Sequence, residues 1–481
     1  MKNRVYNKLI WLLVIPLLFT VSCTEKLDIK PKQSIDASTV FTTPENIKAT
    51  LVGAYLSARD GDIFGSSFNE YSELLATTND MRFIGTYQQP REIMQKSIAV
   101  TNSYVAGTWI AAYDLINVCN TLLDEEVLNV LDEADRATVE GEAKFLRGWT
   151  YFLMTQFYGL PYEPGTTNSQ LGVPLILTPT LDVTDAIMVP RDNVEDCYVQ
   201  VISDLTDAKA ALDTYNDVYA TTYAASAVLA RVYLTMGNFE AAATEANRVI
   251  ESGEFGLMPH PLDAFNNNEN CAEDIFSLQN NIASNTAWLT VMYASLNGMG
   301  RGDYEIQPLF LTRFDPADLR GQFQDAPEME DHYTIANINK MYYYGVGTIL
   351  NSGGINSAKW GDYYANIPLI RLAEMYLVRA EANFEGTHAQ IGPNTPTEDI
   401  NEVRLRSLAP VYTDPVTQAQ IREERYLELC WEGHRLHDLK RWNDDIGTLS
   451  YDAGNLILPI PFREIEVNDL LVQNEWYTSS K

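Results

Sequence analysis

Residues 221–252 read TTYAASAVLARVYLTMGNFEAAATEANRVIES, and this stretch decides the fold. Apolar residues recur at three- and four-residue spacing on both sides of Gly237, which is typical of two amphipathic helices joined by a tight turn. Alanines occupy the positions at which two antiparallel helices must come closest. The sequence therefore predicts one helix over Thr221–Met236, a second over Phe239–Ser252, and a turn at Gly237 between them.

The small and aromatic residues of this helix pair have tetratricopeptide-like spacing, and the first half of the pattern recurs elsewhere. Gly148 with Tyr151, and Ala373 with Tyr376, repeat it. Further helical patterns cover Pro44–Arg59, Val105–Leu131, Ala134–Tyr158, Arg191–Leu212, Leu369–Ala382, Glu398–Ser407 and Val416–Trp442. We therefore expect a mainly α fold, a tetratricopeptide-like helical-repeat scaffold of about four degenerate helix pairs.

Long stretches without a helical period separate the copies, and they are rich in Gly, Pro, Asn and aromatic residues. We expect a single domain over 41–481, a helical scaffold interrupted by these irregular insertions. Its helical scaffold is predicted over about 41–60, 104–158, 191–254 and 368–442, and its loop-rich insertions over about 61–103, 159–190 and 255–367. Loops held by a rigid scaffold are where binding surfaces usually form.

Charge and composition exclude some functions. The 481 residues contain 65 acidic and 34 basic side chains, a formal charge of −31, which disfavours nucleic acid because phosphate backbones would be repelled. Hydrophobic residues make up 46%, as in folded globular proteins. The chain also has 27 Tyr and 8 Trp. Such rings fill helix interfaces, but they also stack on ligands.

The N-terminus predicts export and lipidation. Basic residues precede the apolar run Leu9–Phe19, which is too short to span a bilayer, and Val21-Ser22-Cys23 follows it. Small residues before a cysteine look like a bacterial lipobox. We therefore expect a signal peptide over 1–22, a lipidated Cys23, and a tether over 23–40 leading away from the membrane.

The remaining cysteines, Cys119, Cys197, Cys271 and Cys430, follow no metal-ligand spacing. The simplest expectation is four buried free thiols, although three pairings are open to them. Cys430, His434 and His437 could share one face of a predicted helix and bind a metal ion. Charged neighbours on that helix favour a polar network instead.

Signatures of common enzyme classes are missing: the sequence has no Gly-rich nucleotide loop and no G-x-S-x-G elbow. Two carboxylates suited to glycoside hydrolysis meet in space rather than in sequence, so hydrolysis stays open as an alternative.

Several strings taken together resemble the SusD/RagB family of Bacteroidetes outer-membrane lipoproteins, and the resemblance runs nearly end to end. They are AKFLRGWTYF at 143–152, YGLP at 158–161, RLAEMYLVRAEA at 371–382, ER at 424–425, EGHR at 432–435, DLKRW at 438–442 and LPIP at 458–461. Glu and Arg alternate in the later strings, so we expect buried ion pairs between packed helices there.

The resemblance implies a nutrient-binding protein at the cell surface, active in polysaccharide utilisation, without a catalytic site, metal or cofactor. Members of the family deliver their ligand to a SusC-like TonB-dependent transporter in the outer membrane. Many bind glycans by stacking aromatic faces on sugar rings, whereas the RagB branch is linked with peptides. A glycan or oligosaccharide is the expected ligand. A peptide, a purely protein-binding scaffold and a hydrolase remain as alternatives.

The family's ligand surface draws on the early and central insertions, so candidate ligand-binding residues are sought there. They are Asn79, Asp80, Arg82 and Tyr87 in the early insertion, and Trp288, Tyr293, Arg301 and Tyr304 in the central one. Glycines near Arg301 are expected to keep the backbone adaptable. Trp288 is the strongest candidate among them.

Overall fold

The computed structural model describes residues 41–181, 187–296, 298–324, 339–347 and 353–478. Within these ranges no helix is long and apolar enough to cross a bilayer. The signal peptide, Cys23 and the tether predicted over 1–40 lie outside the described residues.

Helices dominate the structure. They are α1 (Pro44–Ala58), α2 (Ser67–Ala76), α3 (Gln88–Met94), α4 (Ser103–Leu122), α5 (Glu125–Leu128), α6 (Glu133–Tyr158), α7 (Val194–Ala211), α8 (Thr222–Thr235), α9 (Phe239–Ile250), α10 (Trp288–Tyr293), α11 (Pro308–Leu311), α12 (Leu372–Glu385), α13 (Pro396–Arg406), α14 (Gln418–Leu429), α15 (Arg435–Arg441), α16 (Phe462–Val467) and α17 (Glu475–Thr478). The strands are β1 (Met81–Phe83), β2 (Asp274–Leu278), β3 (Tyr304–Ile306), β4 (Phe323–Gln324), β5 (Tyr342–Tyr344), β6 (Ile355–Ser357) and β7 (Ile367–Arg371).

The scaffold is a row of helices in which α4, α6, α7, α8, α9, α12 and α13 each pack on the next. Gly237 turns the chain between α8 and α9 with φ +68°, a conformation that glycine adopts without steric cost. Ala230, Ala242 and Ala246 are fully buried, so the two helices approach closely where the sequence predicted it. The mainly helical, repeat-like scaffold is thus confirmed.

The predicted helix over Val416–Trp442 is wrong in one respect, because it is broken into α14 and α15. Trp431 has φ +66° and Gly433 has φ +83°, and neither value continues a right-handed helix. The Trp431 side chain is held in the core, 1% exposed, and its indole Nε1 donates to the Tyr342 hydroxyl at 3.1 Å. Burial of this ring and its hydrogen bond offset the strain of the left-handed backbone.

The early insertion contains α2, which the sequence did not predict. Every residue of α2 except Asn69 is buried. A helix buried on all sides shows no alternation between an apolar and a polar face, so its sequence carries no periodic signal.

A small sheet organises the insertions. Five strands of two or three residues are ordered β1-β3-β6-β5-β4, so they join the early insertion to the central one. A second sheet pairs β2 with β7, antiparallel, at the entry to α12. Strands this short give almost no alternation in sequence, which is why they were not predicted.

A cluster of ten buried charges ties the central insertion to the last scaffold helices. Its cations are Arg320, Lys359, Arg371, Arg404 and Arg406, and its carboxylates are Asp318, Glu273, Glu424, Glu428 and Glu432. Each side chain is at most 7% exposed, and positive and negative charges are equal in number. The buried ion pairs predicted from the alternating Glu and Arg residues are therefore present.

The four cysteines Cys119, Cys197, Cys271 and Cys430 are all free, as predicted. Only three are buried, because Cys271 lies partly exposed just before β2. Burial raises the pKa of each thiol, so none is an activated nucleophile.

Candidate functional site

Three of the predicted site residues come together with one aromatic residue that the prediction missed. The rings of Tyr87 and Trp288 lie 6.1 Å apart, the rings of Tyr104 and Trp288 lie 6.5 Å apart, and the Arg301 guanidinium is 4.4 Å from the centre of the Tyr87 ring. All four side chains are partly exposed. We call these four residues the aromatic cradle.

Each ring of the cradle is placed by the end of a helix. Tyr87 is the residue before α3, and Trp288 is the first residue of α10. Tyr104 lies in the first turn of α4, where the Asn102 side chain accepts hydrogen bonds from the backbone N–H groups of Tyr104 and Val105. Tyr104 was not predicted because it belongs to a scaffold helix, whereas the family resemblance implies a ligand surface built from the insertions.

Two glycines flank Arg301 and shape the turn that carries it. Gly300 and Gly302 have φ +72° and +63°, and a Cβ on Gly300 would collide with the backbone carbonyl of Ala294. The Arg301 backbone N–H then donates to the Val291 carbonyl at 2.7 Å, which ties the loop to α10. A side chain at position 300 would therefore clash, so this tight turn requires glycine.

The guanidinium of Arg301 is oriented by two contacts besides the Tyr87 ring. Its Nε donates to Asp303 Oδ2 at 3.1 Å, and its Nη2 donates to Thr86 Oγ1 at 3.2 Å. Burial raises the pKa of Asp303, and the adjacent Arg301 opposes that rise. Among the described residues Nη1 has no acceptor, so this donor is available to a ligand hydroxyl or carboxylate.

Tyr293 and Tyr304 lie beneath the surface, and each has 0% exposure. Their rings are 4.8 Å apart, and the Tyr304 hydroxyl donates to Glu70 at 2.7 Å. As placed, neither ring presents a face to a ligand, because both are enclosed by the core. They support the loop that carries Arg301.

Asn79, Asp80 and Arg82 lie at the start of β1, and none of them contacts the cradle. The Asp80 carboxylate accepts from the Thr77 hydroxyl, the Tyr426 hydroxyl and two backbone N–H groups. Burial would raise the pKa of Asp80, but these hydrogen bonds hold it below its usual value. Arg82 is exposed and pairs with Glu305 at 3.1 Å, while Asn79 is an exposed turn residue.

The candidate metal face of Cys430, His434 and His437 does not form, because the helix that would align them is broken. The Cys430 thiol points to the Leu427 carbonyl, and the His437 ring packs on Phe157 at 4.8 Å. Burial lowers the pKa of His437 to about 3 and that of His434 well below its usual value. Both imidazoles are therefore neutral, although both residues are partly exposed, and the described part of the chain holds no cluster of three or more His, Cys, Asp or Glu residues able to bind a metal ion.

Comparison with known proteins adds independent information. A SusD-like family model described as "Starch-binding associating with outer membrane" matches residues 25–234, and the SusD family model matches residues 324–456. SusD-like protein P25 of Formosa agariphila is 24% identical, and the alignment covers 98% of both chains. The starch-binding protein SusD of Bacteroides thetaiotaomicron is 32% identical over 151 residues, 26% of each chain.

The fold is also shared. A SusD superfamily protein from Bacteroides thetaiotaomicron has a crystal structure that superposes with a TM-score of 0.73 at 23% identity, covering 90% of this chain and 99% of that chain. The two family models match the N-terminal and C-terminal parts of the sequence, and the curated relative aligns from end to end. From these matches and the common fold we conclude that this chain belongs to the SusD/RagB family.

Proposed function

We propose that this protein captures a glycan or oligosaccharide at the aromatic cradle, without chemically changing it, and delivers it to a SusC-like TonB-dependent transporter. The observation that carries the proposal is the convergence of Tyr87, Tyr104 and Trp288 at the surface beside the Arg301 guanidinium. Aromatic faces stack on the apolar faces of sugar rings, and the free Arg301 donor bonds a hydroxyl.

The relatives support a glycan over a peptide. One of the matching family models and one of the matching proteins are described as starch-binding. The cradle also suits this ligand, because it presents three aromatic rings beside a single cation, and aromatic faces stack on sugar rings.

For localisation, we propose that cleavage after residue 22 leaves Cys23 lipidated and that residues 23–40 form a tether on the extracellular side of the outer membrane. The domain over 41–481 then faces its transporter. Metabolic labelling with a fatty acid tests the anchor: the wild type is expected to incorporate the label, and Cys23→Ala is expected not to.

Calorimetry of the soluble chain, beginning after Cys23, tests ligand binding against polysaccharides, oligosaccharides and peptides. We expect a glycan to bind without release of product. Trp288→Ala is expected to weaken that binding about tenfold, because it removes one stacking face worth roughly 1 kcal/mol or more. Trp476→Ala is the matched control, since Trp476 is 48% exposed on α17.

Three results would contradict the proposal. Binding of peptides alone would favour peptide capture, and steady release of product would indicate a hydrolase. Equal affinities of the Trp288→Ala variant and the wild type would place the glycan elsewhere on the protein. Co-purification with the transporter encoded by a neighbouring gene tests the partner, and we expect it to depend on the folded domain rather than on the cradle.

A further inference from the structure

We propose that a groove beside the five-stranded sheet is a second glycan subsite. This inference rests on the proposed function and specifies the class of ligand. The groove encloses about 360 Å³ between β3, β5, β6 and the start of α11. That volume falls in the range of small-molecule sites. We call it the Tyr344 groove.

One wall of the Tyr344 groove is a stacked pair of aromatic rings. The rings of Phe323 and Tyr344 lie 5.3 Å apart with an angle of 28° between their planes. Tyr344 is 51% exposed, and its hydroxyl makes no hydrogen bond within the part of the chain that the structure describes. A tyrosine held flat on a neighbour and open on its other face is a stacking platform with a free polar edge.

Gln307, the residue before α11, also lines the groove and brings a polar side chain to it. Gln307 Nε2 donates to Glu305 Oε2 at 3.1 Å, and the same carboxylate oxygen pairs with Arg82 at 3.1 Å. Within the described ranges the Gln307 side-chain oxygen has no donor, so it can accept from a sugar hydroxyl. The backbone of Gly353, with φ +87°, borders one side of the groove. A Cβ at this position would meet nothing within 4 Å, so no side chain fills the space beside it.

The sheet sets the distance between the groove and the cradle. Tyr344 pairs with Ile355, and Ile355 pairs with Ile306, so Tyr344 lies two strand spacings, about 10 Å, from Ile306. Arg301 precedes Ile306 by five residues, which reach about 17 Å at most. The Cα atoms of Tyr344 and Arg301 are therefore about 27 Å apart at most. Among the described residues, those lining the groove include no member of the cradle, so the two sites are separate, and one extended sugar chain can reach both.

We therefore infer that the ligand is a polysaccharide or long oligosaccharide occupying both sites at once. Two weak sites on one rigid protein bind a long chain more tightly than either site alone, because the second contact becomes intramolecular. A short oligosaccharide occupies only one site and gains nothing from the other.

The groove is better suited to a polysaccharide than to a protein surface. Its lining combines the Tyr344 ring with the side-chain amide of Gln307, which suit the rings and the hydroxyls of a sugar chain. Contact with the transporter is the competing use of this surface, and the experiment below separates the two.

Affinity electrophoresis tests the proposal, with soluble starch, xylan, laminarin and alginate in the gels. The polysaccharide that retards the wild type most, and the disaccharide of the same repeat, are then titrated into the wild type, Trp288→Ala and Tyr344→Ala. Tyr215→Ala is the matched control, because Tyr215 is 78% exposed on a distant loop. Far-ultraviolet circular dichroism and the thermal midpoint verify that each variant is folded.

We expect Tyr344→Ala to bind the polysaccharide about fivefold to tenfold more weakly and the disaccharide with unchanged affinity. Trp288→Ala is expected to weaken binding of both. Suppose that Tyr344→Ala binds the polysaccharide as tightly as the wild type, while Trp288→Ala binds it more weakly. That result overturns the second subsite and leaves the proposed function standing. If Tyr344→Ala no longer co-purifies with the transporter but still binds the polysaccharide as the wild type does, the second subsite is overturned and the groove is a protein contact. If no polysaccharide retards the wild type but an oligosaccharide binds in the calorimetry, the second subsite is overturned and the proposed function stands; if neither binds, both proposals are overturned.

Discussion

The buried charge cluster makes a strong prediction about stability, and Glu428 is the residue that tests it. Its Oε1 accepts from Arg371 at 3.2 Å and from Arg406 at 2.5 Å, and its Oε2 accepts from Arg320 at 3.1 Å. Burial alone would raise the pKa of Glu428, but these arginines hold it well below its usual value. Glu428→Gln keeps the shape of the side chain and removes one negative charge.

The expected cost follows from the charge balance. The wild-type cluster is neutral, whereas the variant buries five cations with four carboxylates. Removing one partner from a buried ion pair typically costs about 3–5 kcal/mol, because the remaining charge stays desolvated without compensation. We therefore expect the free energy of unfolding to fall by about that amount at neutral pH.

The assay is urea unfolding followed by tryptophan fluorescence, with Glu423→Gln as the matched control on the same helix. Glu423 pairs with Arg313 at the surface, where the two side chains are 32% and 41% exposed, so its loss should cost less than about 1 kcal/mol. Adding Arg406→Met to Glu428→Gln restores neutrality. The double variant should then lose about 1–3 kcal/mol less than the sum of the two single variants.

Two results would refute this reasoning. If Glu428→Gln and Glu423→Gln destabilise equally, burial does not amplify the lost charge. If the two substitutions in the double variant are additive, the charges act independently and the cluster is not a coupled unit. Acid should also matter: the contribution of Glu428 should be complete above its ordinary pKa of 4.5 and vanish only in strong acid.

Further predictions concern two glycines, a buried carboxyl and a thiol. Gly53→Ala should stabilise α1 by about 0.5–1 kcal/mol, because an added Cβ meets nothing within 4 Å. Gly148→Ala should destabilise the protein, because its Cβ would lie 3.0 Å from the Cβ of Asp204, which Arg147 holds in place. The midpoints of urea unfolding test both predictions. Burial raises the pKa of Glu70 to about 7, so the folded state holds a proton that the unfolded state releases. The free energy of unfolding should therefore fall by about 3 kcal/mol as pH rises from about 4.5 to 7. This loss should be absent in Glu70→Gln. Cys271 should be the first of the four described thiols to react with a thiol reagent in the native protein, and slowly, because burial raises its pKa to about 12; faster labelling of Cys119 would contradict the packing.

Much of the scaffold could be predicted from local pattern. The α8–α9 pair, its turn at Gly237 and the ends of α6 follow from helical periodicity and small residues. The failures share a cause. The break at Trp431 and the helix Ser67–Ala76 are both decided by burial on every side, which leaves no period in the sequence.

The candidate site was predicted only in part. Tyr87, Trp288 and Arg301 were named from their loops, and the structure brings them together. Tyr293 comes from the same insertion but lies in the core, since residue type and loop position do not reveal which way a ring faces. Tyr104 joins the cradle from a scaffold helix, a contact between distant parts of the chain that no local pattern records.

The sequence by itself determined the helical scaffold, the alternating Glu and Arg residues and the family, because these properties reside in the order and spacing of neighbouring residues. Only the tertiary structure decided which aromatic rings reach the surface and how ten charges balance inside. Those outcomes depend on contacts such as Trp288 with Tyr104, or Arg320 with Glu428, between residues more than a hundred positions apart in the chain. Such pairs form only when the whole chain packs, and their energies arise from burial and distance rather than from any local pattern.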